Sequence, residues 1–107
     1  MVEKAKGKVL LAGFDLDYGE MAVINNIIDN YVEKIEHRIG FEEIKLTLKK
    51  SRRGKSFLHE VKGTLAVGGK QFKTEKTDYN LLKVLSEVFE KLMKEAEHNR
   101  RTSRQTR

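Results

Sequence analysis

Lys49, Lys50, Arg52, Arg53 and Lys55 place five cations within seven residues. Flexible cations at this spacing can converge on phosphate, and the arginines add forked hydrogen bonds to its oxygens. A solvated turn is the plainer reading, since lysines also discourage edge-to-edge strand pairing. The clustering favours contact with RNA. A second set, Arg100, Arg101, Arg104 and Arg107, lies in a stretch with no acid after Glu97. Blocks of one sign are often interaction tails, and this set reads as an RNA-binding arm more than as a solubilising end.

Other chemistries find less support. Gly54-Lys55-Ser56 imitates the end of a phosphate-binding loop. That loop needs an earlier glycine where Lys49 stands, and a helix where the pattern predicts a strand. Asp15 and Asp17 could share a divalent ion, but no third ligand is evident and Asp17 is explained as a helix cap. His37, His59 and His98 fall on different predicted elements without metal-ligand spacing. His59, on a predicted inward face, reads as a packed and hydrogen-bonded side chain. With no cysteine there is no thiolate nucleophile, thiolate zinc site or disulfide. No nucleophile–base pair stands out, so the expectation is a protein without catalysis, cofactor or metal. Aromatic platforms for unpaired bases are not expected, because there is no Trp and nearly every Phe falls on a predicted buried face.

The charge is unevenly spread. Of the net +6, residues 41–77 alone supply +6, from ten bases against Glu42, Glu43, Glu60 and Glu75. Residues 98–107 add +4, residues 18–40 and 78–97 each carry −2, and residues 1–17 are neutral. A uniformly solvated surface needs no such segregation, whereas clustered bases are the footprint of a phosphate partner. The 36% charged fraction also fits an ion-pair-rich surface, which accounts for the total but not for its distribution. Val9 to Ala12 is too short an apolar run for a signal peptide or a membrane span, so a soluble cytoplasmic protein is expected.

The elements that must carry these residues follow from the hydrophobic period. Residues 8–14 read as a strand. Asp17 and Glu20 have the spacing of a capping box. After them Ile24, Ile27, Ile28, Tyr31, Val32, Ile35 and Ile39 form one helical face, closed by Gly40. The period then drops to two: Ile44, Leu46 and Leu48 face one way, and Glu43, Lys45, Thr47 and Lys49 the other. Residues 49–55 read as a polar turn. Phe57, His59, Val61, Leu65 and Val67 resume the alternation facing inward. Gly68-Gly69 is a two-residue hairpin turn, and residues 71–76 form a polar edge strand. A second helix after Asp78 carries Leu81, Leu82, Val84, Leu85, Val88, Phe89 and Leu92.

The fold class is therefore α+β: a two-layer sandwich of order β-α-β-β-β-α. Its four-stranded mixed sheet has two helices on one face, with the first two strands parallel across a helical crossover. Residues 1–97 form one domain, and residues 98–107, with no apolar side chain, form a basic disordered tail.

The segment order and the stretch Thr64-Leu65-Ala66-Val67-Gly68-Gly69 resemble the ribosome hibernation-promoting factor family, also called ribosome-associated inhibitors. Asn80-Leu81-Leu82-Lys83-Val84-Leu85 is similar to the Asp-Met-Tyr-Ala-Ala-Ile start of that family's last helix, with Asn80 for the Asp and Leu82 for the Tyr. Lys91-Leu92 matches its later Lys-Leu pair. The resemblance spans residues 8 to about 97. It implies a non-catalytic, stress-related translation-silencing factor in the decoding cleft of the small ribosomal subunit. The family's helix bases contact ribosomal RNA, and the matching positions here are Lys34, Arg38, Lys91 and Lys94. This sequence departs from the family in that both helices are net acidic and its bases lie in the hairpin and tail.

Two alternatives stand beside this reading. Without the first strand, the order is that of a double-stranded-RNA-binding domain, with residues 49–55 in its groove-entering loop. Thr77-Asp78-Tyr79-Asn80 lacks that family's Ser-Lys-Lys helix start. The other alternative is a protein-interaction or homodimerisation module, using an edge strand or an apolar residue such as Leu58 on the open sheet face.

Overall fold

Asp17 starts the first helix by a reciprocal cap. Its side chain accepts from the Glu20 N–H at 2.8 Å, while Glu20 reaches back to the Asp17 N–H at 3.4 Å. The computed structural model describes residues 7–105 and contains β1 (Lys8–Ala12), α1 (Tyr18–Arg38), β2 (Glu43–Arg53), β3 (Ser56–Val67), β4 (Lys70–Asp78) and α2 (Leu81–Gln105). At the far end of α1, the Ile39 and Gly40 N–H groups both donate to the Ile35 carbonyl. Gly40 takes a φ of 65°, the left-handed geometry that ends a helix.

The sheet order is β1-β2-β3-β4. β1 runs parallel to β2, and the other two pairings are antiparallel. This is the mixed, two-layer α+β architecture that the periodicity predicts. β1 is an integral strand, which removes the arrangement in which it is an extra in front of a three-stranded sheet. It ends at Ala12, short of the expected Phe14, because Gly13 turns the chain with a φ of 79°.

Alternation puts Ile44, Leu46, Leu48, Val61 and Leu65 on one sheet face, where they pack against Ile24, Ile28 and Ile35 of α1 and Val84, Leu85, Val88, Phe89 and Leu92 of α2. Gly63 lies in the same rows, and its missing side chain decides how close α2 can come. A Cβ there would stand 2.6 Å from Val88 Cγ1 and 3.0 Å from Leu92 Cδ1. The helices run parallel, with Tyr31 stacked on Phe89 at 4.9 Å between ring centroids.

Two further expectations are corrected. Residues 49–53 are strand, not turn: β2 and β3 stay in register to Arg53↔Ser56, and only Gly54 and Lys55 form the turn. Gly54 takes a φ of 63°, as a tight hairpin requires. Also, α2 continues to Gln105, so the expected disordered tail from His98 is helical backbone over most of its length. No glycine or proline interrupts residues 81–105, and helical propagation does not need an apolar face at every turn. Arg107 lies outside the described residues.

Candidate nucleic-acid interface

The sheet is not equally long in all its strands, and the difference builds the site. β1 stops opposite Thr47 and β4 stops opposite His59. β2 and β3 go on alone through Ser51↔Leu58, Arg52↔Phe57 and Arg53↔Ser56. This two-stranded ribbon projects about 10 Å at the usual strand rise. With the two pairs that lead into it, Lys49↔Glu60 and Lys50↔His59, it carries five bases and one acid, Glu60, opposite Lys49. Alternation divides them, with Lys49 and Arg53 facing the open side of the sheet and Lys50 and Arg52 the helix side; Lys55 sits in the turn. Both helices begin at this end of the molecule, after short connections from Ala12 and Asp78.

None of the five ribbon bases takes part in an ion pair among the described residues. Arg52 donates from Nε to the Gly54 carbonyl at 3.2 Å, which steadies the turn. Lys50 lies over the Phe57 ring, 5.1 Å from its centroid. Alternation alone assigns Phe57 to the core, yet it is 45% exposed, because its row passes beyond the last residues that the helices cover.

A second basic surface adjoins the ribbon on the open sheet face. Lys45, Thr64 and Lys73 are cross-strand neighbours in one row, and Thr47, Lys62 and Glu75 in the next. Together they line a shallow furrow. Lys45, Lys62 and Lys73 escape a reading of clustered charge because they lie far apart in sequence. The period of two and the strand register are what unite them.

The four helix bases are differently placed. Arg38 pairs with Glu97 at 3.2 Å, Lys91 with Glu95 at 3.6 Å, and Lys34 stands 5.1 Å from the centre of the Tyr31 ring. Lys94 is exposed on α2. Arg100, Arg101 and Arg104 belong to the last turns of that helix, at the opposite end from the ribbon. The structure therefore does not bring the ribbon and these C-terminal positions together.

The remaining titratable groups have local roles. Asp17 is taken up as a cap. His59 Nδ1 lies 2.9 Å from the Tyr79 carbonyl oxygen and, when protonated there, donates to it. Asp78 accepts from the Asn80 N–H at 2.9 Å and pairs with Lys83 at 3.3 Å. These interactions, the backbone donor first, hold its carboxyl below the ordinary aspartate value. Asn80 in turn caps α2, accepting from the Lys83 N–H at 3.2 Å. No group of three metal-ligating side chains occurs among the described residues, and no helix there is long and apolar enough to cross a membrane.

A mixed four-stranded sheet with two parallel helices on one face defines the structural class. Two solved structures of that kind are similar to this chain. One is a ribosomal subunit interface protein from Coxiella burnetii, at 15% identity and a TM-score of 0.57, over 87% of this chain and 97% of that one. The other is the N-terminal domain of Protein Y from Thermus thermophilus, at 17% identity and a TM-score of 0.55, over 83% and 93%. At these identities the likeness concerns the fold. No family model matches the sequence, and no curated protein matches it.

Proposed function

We propose that this protein is a non-catalytic, ribosome-associated RNA-binding module that docks through its basic ribbon. The observation that carries this reading is the run of five bases, Lys49, Lys50, Arg52, Arg53 and Lys55, at and below the tip of a projecting hairpin, none of them in an ion pair among the described residues. Charge placed in that way contributes most by displacing the counterions condensed around phosphates. The furrow of Lys45, Lys62 and Lys73 widens the same field. Similarity in fold to a ribosomal subunit interface protein supports the ribosome as the source of that RNA. Translation silencing on the small subunit is the finer form of the proposal. It rests on the resemblance of Thr64 to Gly69 and Asn80 to Leu85 to hibernation factors.

The test is sedimentation of the full chain with purified ribosomal subunits through sucrose gradients at low and high salt. Co-migration that salt reverses is the expected result. Migration at the top of the gradient at all salt concentrations would refute the proposal.

One observation favours a second reading. β1 is an edge strand with Leu10 and Leu11 exposed at 40% and 37%, an arrangement suited to strand pairing with another copy. A concentration-dependent dimer that Leu10→Lys abolishes would support it.

A further inference from the structure

The helix-side face of the ribbon differs from a simple basic patch. It continues the core rows, Leu48↔Val61 giving way to Lys50↔His59 and Arg52↔Phe57, but it runs beyond the helices' cover. Phe57 is 45% exposed there and Tyr79 is 55% exposed at the adjoining start of α2. His59 shares the Phe57 face of β3, stands opposite Asp78, and bonds the Tyr79 backbone carbonyl at 2.9 Å. Asp78, an acid at the border, is paired with Lys83 at 3.3 Å. The face thus sets the exposed Phe57 ring beside two cations, Lys50 and Arg52, with a second exposed aromatic, Tyr79, in the connection at its border.

Phosphate alone does not need exposed rings. A duplex conceals its base faces within the stack, whereas an unpaired strand offers a π-face at every nucleotide. We infer that this face binds an unpaired RNA strand, with Phe57 and Tyr79 stacking on bases and Lys50 and Arg52 holding the adjacent phosphates. The inference rests on the RNA-binding reading and names its substrate class. It also reverses the expectation that the chain lacks aromatic platforms, which depends on a core position for Phe57.

The experiment compares a labelled oligouridylate with a blunt RNA duplex of equal length, by fluorescence anisotropy with the full chain across a salt series. The single strand should bind more tightly by about tenfold or more. Phe57→Leu and Tyr79→Leu should each weaken it by roughly 5- to 150-fold, the range of a stacked base, with little change in salt slope. Phe57→Tyr should restore binding. The chain has three tyrosines and no tryptophan. Its tyrosine emission should therefore change on adding the strand, and change less in Tyr79→Leu. Both residues lie outside the buried core, and a circular dichroism melt of each variant checks that folding is kept. Equal or tighter duplex binding, or wild-type affinity in both leucine variants, would overturn the inference. If the leucine variants bind normally while neutralising the ribbon bases abolishes binding, RNA binding stands and stacking alone is refuted. Absence of binding to either RNA and to ribosomal subunits would overturn both.

Discussion

Arg38 meets Glu97 at 3.2 Å across the two helices, and Tyr31 donates to Glu90 at 3.0 Å, each pair being 59 residues apart. The repeated separation means that the helices advance in step and in the same direction from the ribbon end. The two interactions are of unequal weight. The Tyr31 ring covers buried Phe89 in a parallel stack, whereas Arg38 and Glu97 keep 52% and 31% of their side-chain surface in water.

The first prediction follows from that inequality. Tyr31→Ala should cost about 1–3 kcal/mol, the loss of an aromatic pair and of apolar burial. The coupling between Arg38 and Glu97 should remain below about 1 kcal/mol, as for exposed ion pairs. Urea unfolding of the single variants and of the Arg38→Ala/Glu97→Ala cycle measures both. A larger coupling than the Tyr31→Ala loss would reverse the assignment.

Gly63 gives a second prediction. Its added Cβ would meet Val88 Cγ1 at 2.6 Å and Leu92 Cδ1 at 3.0 Å, and a β-branched valine on a helix has little rotamer freedom to retreat. Gly63→Ala should therefore destabilise by about 1–3 kcal/mol through overpacking, despite alanine's lower backbone entropy cost. Combining it with Val88→Ala should recover part of the loss. Thermal and urea melts decide; a stabilised Gly63→Ala protein would mean that α2 sits farther from the sheet.

Much of this frame is legible in the sequence because local chemistry and burial agree. Asp17 and Glu20 are spaced for a capping box, Gly40 for a helix stop, and Ile44, Leu46 and Leu48 for a covered sheet face; each occupies that role. The ribbon is not legible, for a physical reason. Hydrophobic alternation reports burial, and residues 49–58 extend past the helices, where a strand is held by ladder hydrogen bonds without an apolar face. Lys49 to Arg53 consequently read as a turn, and Phe57, of correct parity, as core. The C-terminal arginines show the converse: α2 goes on to Gln105 after its apolar stripe has ended. The furrow of Lys45, Lys62 and Lys73 requires the register itself.

Asp78 supplies a pH prediction. Its folded carboxyl titrates below the ordinary value because the ionised form accepts from the Asn80 N–H and faces Lys83. A lowered folded value means that the unfolded chain takes up the proton first as pH falls. The stabilising effect is therefore complete above the ordinary aspartate range, near pH 4, and is lost as pH falls through the folded value. NMR titration should find the Asp78 carboxyl midpoint below that of a model peptide. Asp78→Asn should lessen the fall in stability over this acid range. An unshifted midpoint would count against the Asn80 and Lys83 interactions as its cause.

The final prediction opposes two arguments about docking. Neutralising Lys49, Lys50, Arg52 and Arg53 to Gln should weaken RNA or subunit binding and flatten the logarithmic salt dependence by up to about 3 units. Each phosphate left without its cation removes about 0.7–0.9 from the slope. None of these four side chains is buried, so the fold should survive. Neutralising Lys34, Arg38, Lys91 and Lys94 should matter less, since Glu97 and Glu95 already balance Arg38 and Lys91, and Lys34 lies over Tyr31. The hibernation-factor resemblance argues the opposite, because helix bases carry the RNA contacts there. Salt-series binding of the two quadruple variants separates the arguments. Failure of the helix variant to bind, with normal binding in the ribbon variant, would refute ribbon docking and favour the helical face. Failure of the ribbon variant alone would mean that a familiar fold meets its RNA through a hairpin extended beyond the core.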